Sequence, residues 1–212
     1  VTIAMEKSHV PSRPVTSRPG LSDKKREAIL QGAKAAFLKE GFGGASMDQV
    51  AALAGVSKMT VYRHFGSKEE LFAGVITDLC QFIVAEDLDA IFAQEPQQAL
   101  RAFARKMTDI VFEPDTAELH RIVIAESRRF PKLGQLFYQT GPQACIDALE
   151  AYFIRHNGNP SLKVNDPRRS AEEFLELLRG YSHLKMLLGI EKKPTKQDVD
   201  VRIESAVRHI LG

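Results

Sequence analysis

The sequence predicts an all-α chain in two parts, an N-terminal three-helix domain followed by a larger helical domain. Three observations predict it. Apolar residues recur at helical spacing along nearly the whole chain. No run shows a sustained two-residue alternation, so no sheet is expected. Serine and glycine start and stop signals crowd the first third, whereas proline divides the rest into longer segments.

The first helix is expected over roughly 23–40, where Ile29, Ala33, Ala36 and Phe37 make one apolar face and Gly41 is placed to stop it. Gly41-Phe42-Gly43-Gly44 lacks the preceding strand and the spacing of a phosphate-binding loop, which makes it a turn. A second helix opens at Ser46, with Gln49 completing an S-x-x-Q capping box and Val50, Leu53 and Ala54 facing inward. Gly55 interrupts, Val56 points inward and Ser57 caps a short third helix. Ser67-Lys68-Glu69-Glu70 starts a fourth that runs through Leu71, Val75, Leu79 and Phe82. Later helices are expected over roughly 97–112, 115–128, 142–156, 168–189 and 197–211, broken at Pro96, Pro114, Pro131, Gly141-Pro142, a 157–167 loop and Pro194.

The charge is unevenly divided. Residues 1–66 carry 10 Lys/Arg against 5 Asp/Glu, and the remainder carries 19 against 22. Positive charge in the first third suits contact with a polyanion. Cys80 and Cys145 are far apart in apolar helical patterns and read as buried free thiols in a reducing cytoplasm. No apolar run reaches the roughly 18 residues needed to span a bilayer, so no membrane partner is expected. Residues 1–20, with three prolines and no apolar stretch of signal-peptide type, read as a disordered arm or as sequence appended to the fold.

Residues 46–65 have the properties of a helix-turn-helix: two short helices, a glycine turn, apolar locking residues and a polar outer face. Ala51, Leu53 and Val56 are placed to pack against Val61 and Phe65. At 100° per residue, Met59, Thr60 and Arg63 fall on the opposite side of the third helix, with Lys58 at its start. Arg63 suits a bidentate contact to guanine O6 and N7, and Met59 a thymine methyl. Thr60 can bond to a base or a phosphate. Tyr62, His64 and Lys68 flank this face with groups suited to phosphate oxygens, and the helix N-termini at Ser46 and Ser67 add backbone donors. Singly, each is an ordinary surface or core-covering residue; their joint spacing on one face is what points to DNA.

The run from Ser46 to Leu71, with its A-G-V-S-K-x-T-x-Y-x-H-F-x-S-K-E-x-L pattern, resembles the signature of the TetR family of bacterial transcriptional regulators over roughly residues 24–72. That resemblance implies an all-helical homodimer, with a DNA-binding domain (here residues 21–68) and an effector-binding and dimerisation domain (here 69–212). It implies Lys58, Met59, Thr60 and Arg63 as base-facing residues, and Ser46, Tyr62, His64 and Lys68 as phosphate holders on a palindromic double-stranded operator. Ser46-Met47 departs from the family's frequent Thr and β-branched pair, and Met59 stands where Gly is common. The stretch from His120 to Ser127, then Arg128 to Tyr138 and Gly141-Pro142, resembles the AefR-like subgroup. This implies a repressor released from its operator by an unidentified small molecule.

The segment 168–189 is apolar on more than one face and is expected to be buried on two sides, either within a monomer or between protomers. With 142–156 it could complete a four-helix interface across a two-fold axis. A cavity between the helices would draw its apolar lining from Phe103, Met107, Phe112, Ile122, Phe137 and Tyr138, and its polar contacts from His120, Glu126 and His183. Arg128-Arg129 suits either an anion anchor or an exposed helix end. Enzyme function is not expected: the chain has no H-E-x-x-H, no G-x-S-x-G, no P-loop and no metal-spaced Cys/His cluster, and no cofactor or metal is called for. The acidic second part argues against a non-specific architectural DNA binder. The expected location is cytoplasmic.

Overall fold

The computed structural model describes residues 21–79 and 86–211, all of whose regular elements are helical. They are α1 (Leu21–Gly44), α2 (Met47–Ala54), α3 (Lys58–Phe65), α4 (Lys68–Leu79), α5 (Glu86–Phe92), α6 (Pro96–Val111), α7 (Pro114–Glu126), α8 (Pro131–Tyr138), α9 (Ala144–Arg155), α10 (Pro167–Leu187) and α11 (Lys196–Leu211). The expectations for residues 1–20, Cys80 and Phe82 lie outside the described residues. None of the described helices is long and apolar enough to cross a membrane.

Proline plays a different part from the one the sequence suggested. Pro96, Pro114, Pro131 and Pro167 each occupy the first turn of a helix, where a missing N–H costs nothing and φ is already helical. They start helices rather than merely separating them, and α8 after Pro131 is one that periodicity missed, as is α5. Gly141-Pro142 is no break. A π-helical turn over Gln139–Gln143 carries the chain from α8 into α9, and the wider turn accommodates the proline that an α-helical ladder would reject.

Two apolar cores organise the chain. One joins α5, α6, α9, α10 and α11 around Phe103, Leu149, Tyr152, Phe174 and Val207. The other gathers α1–α4 around Ile29, Phe37, Val61 and Phe72, and also takes in Leu119, Ile122 and Val123 of α7 and Leu133 of α8. A division at residue 68 therefore cuts through a shared core. Phe42 sits at the join, fully buried, with ring centroids 5.8 Å from Phe37, 5.7 Å from Phe72 and 5.1 Å from Phe130.

α1 leaves helical geometry at Gly41, as expected, then makes one more turn to Gly44. Its end is held from outside. Lys68 Nζ donates to the carbonyls of Phe42 (2.8 Å) and Ala45 (2.9 Å) and lies 4.8 Å from the Phe42 ring centre. A cation on the last carbonyls of a helix complements both their lone pairs and the helix dipole. From α7, Glu126 accepts from Gly43 N at 3.1 Å, and Asp115 pairs with Lys34 at 2.8 Å. Phe42→Ala is expected to lower unfolding free energy by about 3–5 kcal/mol, the range for truncating a buried aromatic. Urea titration followed by circular dichroism checks this; a loss under 1 kcal/mol (roughly a surface substitution) would contradict the hub role.

Candidate nucleic-acid interface and apolar cavity

The geometry of α2 and α3 follows from three local devices. Ser46 Oγ accepts from Gln49 N (3.2 Å) while Gln49 Oε1 accepts from Ser46 N (2.9 Å), the capping box the sequence indicated. Gly55 takes a left-handed conformation (φ 64), and Val56 N donates to Ala51 O at 3.0 Å, which closes α2 and turns the chain sharply. Ser57 Oγ then accepts from Thr60 N at 3.2 Å and starts α3. Val61 and Phe65 of α3 are buried against α1, α2 and α4, so its opposite face must point outward.

That outward face carries Lys58, Met59, Tyr62 and Arg63, all exposed, with Met59 75% exposed. A methionine so uncovered at a helix start has nothing of this chain to pack against. Lys58 Nζ lies 2.8 Å from Asp48 Oδ2, and that carboxylate raises its pKa. Both partners are solvated, so a phosphate could displace the pair at little expense. Thr60 Oγ1 lies 2.8 Å from Ser57 Oγ, which ties its hydroxyl to the cap. His64 is half-buried, 6.4 Å from the Phe65 ring, and Ser46 is half-buried at its cap. Lys68 stands apart from this group, its ammonium directed at the end of α1. Leu53 departs from expectation outright: it is 60% exposed, whereas Met47, which periodicity passed over, is buried with Val50 and Ala51.

A narrow cavity lies beneath, between α4, α6, α7, α9 and α10, with about 660 Å³ of empty space counted out to its solvent-open mouth. Most of its wall is apolar, including Ile76, Met107, Leu119 and Phe137. Its polar groups are Thr116 and His120, one turn apart on α7, and Arg179 and His183, on either side of the Gly180 bend of α10. The two imidazole rings are 5.2 Å apart. Burial, then the charge of Arg179, pushes His120 down from 6.5 to about 4. For His183 burial again comes first, then His120, then Arg179, with the same fall to about 4. Both rings are therefore neutral near pH 7.

Comparison with known proteins bears directly on this arrangement. The model for bacterial regulatory proteins of the tetR family matches residues 29–75, and that for the AefR-like transcriptional repressor C-terminal domain matches residues 98–212. The chain belongs to the TetR family. A solved structure titled flavonoid-responsive regulator FrrA is 34% identical, covers 88% of this chain and 94% of its own, and superposes with a TM-score of 0.66. The transcriptional repressor NicS of Pseudomonas putida is 38% identical over 81 residues, 38% of this chain and 38% of NicS. The transcriptional activator FasR of Mycolicibacterium smegmatis is 29% identical over 137 residues, 64% of this chain and 62% of FasR. The matches thus span less than two thirds of either curated relative. The family is one of transcription regulators, not enzymes.

Of the cavity residues expected in this TetR-family chain, Met107, His120, Phe137 and His183 line it. Phe103 does not: it is fully buried in the C-terminal core, 5.6 Å from the Phe92 ring. Phe112 lies behind the wall, edge-on to His183 at 6.4 Å. Ile122 turns to the N-terminal core, Glu126 is spent on Gly43, and Tyr138 is half-exposed. Thr116 and Arg179 were missed, although each precedes a named histidine by four residues, the helical spacing that would have found it. Arg128 and Arg129 are both exposed, with the Arg129 guanidinium 5.2 Å over the Phe130 ring.

The expected interface also changes. Of the apolar residues of α9, Cys145, Ile146, Leu149, Tyr152 and Phe153 are buried in the chain's own core, whereas Ile154 is exposed. Uncovered apolar side chains stand on α10 and just after it, Leu177 before the Gly180 bend and Tyr181, Leu184 and Leu188 after it, with Tyr181 81% exposed. Val201 of α11 lies alongside, in a depression shared with Leu177.

Because the two imidazoles hold fewer protons folded than unfolded between pH 6.5 and about 4, their contribution to stability is complete above 6.5 and lost as pH falls. The melting temperature is expected to drop from pH 7 towards pH 4.5, and the His120→Gln/His183→Gln double variant to show a shallower drop. Equal slopes in a thermal scan would contradict the buried neutral pair.

Proposed function

We propose that this chain is a homodimeric transcriptional repressor that reads a palindromic operator with α3 and leaves it when a small molecule fills the cavity of each protomer. The carrying observation is the outward face of α3. Lys58, Met59 and Arg63 are exposed together on a helix whose other face is locked by Val61 and Phe65, beside a glycine turn of helix-turn-helix geometry. Arg63 and Met59 are the base readers in this reading, with Lys58 and Thr60 at the helix start. Tyr62, His64 and the Ser46 end of α2 meet phosphates. Lys68 acts on DNA indirectly, by holding α1 and with it the α2 entry.

Dimerisation through α10 and α11 is supported by the exposed Leu177, Tyr181, Leu184 and Leu188 with Val201 beside them, apolar side chains of the kind a partner subunit covers. Repression, rather than activation, is supported by the AefR-like repressor domain matched over 98–212. Response to a small molecule is supported by the cavity and by the flavonoid-responsive title of FrrA. The route between the sites is α7. Its Thr116 and His120 face the cavity, while Ile122, Val123 and Glu126 hold α1. A ligand that shifts α7 shifts α1, and the two α3 helices of the dimer then fall out of register with successive major grooves. A coupling of about 1–3 kcal/mol is sufficient.

Selection from random duplexes tests this. Enrichment of a palindrome is expected, with a log–log salt slope near about −7 if the dimer neutralises roughly 8 phosphates. No enrichment and a flat salt response would overturn the reading. On the selected site, Arg63→Ala is expected to relax preference at one base pair per half-site, worth about 1–3 kcal/mol. Tyr62→Phe should weaken all sequences alike; the reverse pattern in a binding titration across single-base variants would reassign both residues.

A further inference from the structure

The polar end of the cavity is built for one kind of ligand. Among the described residues that line it, the polar groups are Thr116, His120, Arg179 and His183, and none is a carboxylate. A neutral imidazole offers one N–H, a hydroxyl one O–H, and the guanidinium five N–H donors and a fixed charge. Among the described residues, Thr116 Oγ1 is buried and has no hydrogen-bond partner, an unmet need in an otherwise dry wall. Arg179 Nη1 lies 3.0 Å from Glu176 Oε1, but that carboxylate is 70% exposed on the outer side, and the arginine side chain is only 22% exposed. The charged and titratable groups around the imidazoles are Arg179 and Glu176 of α10 and Cys145 of α9; α4, α6 and α8 present apolar side chains there.

The geometry points to an effector that is an organic acid: a single carboxylate on an apolar body, its oxygens held by Arg179, Thr116 and the two histidine rings, and its body along α4, α6 and Phe137. This rests on the effector-cavity reading above. Among the described lining residues only Arg179 is charged near pH 7, so a cation would meet repulsion and no lining carboxylate. A neutral isostere would fill the apolar part and leave Arg179 paired only with the solvent-facing Glu176. An anion next to the rings also favours their protonated forms, which would tighten the site further.

The test uses matched acids and amides of different body shape (decanoate and decanamide, 2-naphthoate and 2-naphthamide), with 2-naphthylmethylamine as the cation, bound to the full chain and measured by calorimetry. The acids are expected to bind about tenfold or more tighter than their amides, with the amine weakest. Arg179→Gln is expected to bring the acid down to the amide's affinity while leaving the amide unchanged, which also shows that the variant is folded. Equal affinity of acid and amide in the native chain would overturn the inference and leave the effector cavity standing. Binding of none of the probes, or binding undiminished by Met107→Trp, which fills the apolar part, would overturn both.

Discussion

Phe42 must be buried from three directions at once, and most of the architecture follows from meeting that demand. Its own helix ends around it, Phe72 covers it from α4, and Phe130 closes it from the start of α8. Each aromatic pair adds about 0.5–1.5 kcal/mol beyond area burial. The backbone at this point has exhausted its own helix, and the freed carbonyls go to Lys68 while Gly43 N goes to Glu126. A helix end buried without such partners would be costly. The reading domain and the regulatory domain therefore cannot move independently, because the same ring belongs to both.

This makes two helices two-faced. α7 has Leu119 and Val123 in the N-terminal core and Thr116 and His120 in the cavity. α10 directs Arg179 and His183 into the cavity and Leu177, Tyr181 and Leu184 outward. It bends at Gly180, whose backbone (φ 49) is one that side chains avoid and where a Cβ would collide with the Arg202 guanidinium. A cavity bounded by these two helices touches the reading head on one side and the uncovered apolar side chains on the other. No long relay is needed; each step is a packed helix.

Much of this was legible in the sequence because local signals decide it. Ser46 with Gln49, Gly55 and Ser57 fix α2 and α3 within a few residues, and the outward placement of Lys58, Met59 and Arg63 follows from the helix period alone. Failures came where a distant partner decides. Leu53 has the right spacing to be buried, but the neighbouring helices cover the side of α2 that carries Met47, Val50 and Ala51. Glu126 has the composition of a ligand contact, yet a backbone N–H 83 positions away claims it. Lys68 resembles a phosphate anchor until the end of α1 is seen beneath it. Pro142 signals a break in any α-helix, and only the π turn reconciles it with continuity. Arg179 was passed over because its helix was read for apolar content, though its spacing to His183 was there to see.

In the proposed dimer, paired α3 helices are held one DNA turn apart by the packed helices behind them. Spin labels at residue 59, introduced by Met59→Cys in a Cys80→Ser/Cys145→Ser background, report that distance by pulsed dipolar spectroscopy. On the selected duplex, a narrow distribution centred near about 35 Å is predicted. A single-protomer signal with no inter-label distance, or a broad distribution unchanged by DNA, would contradict the account.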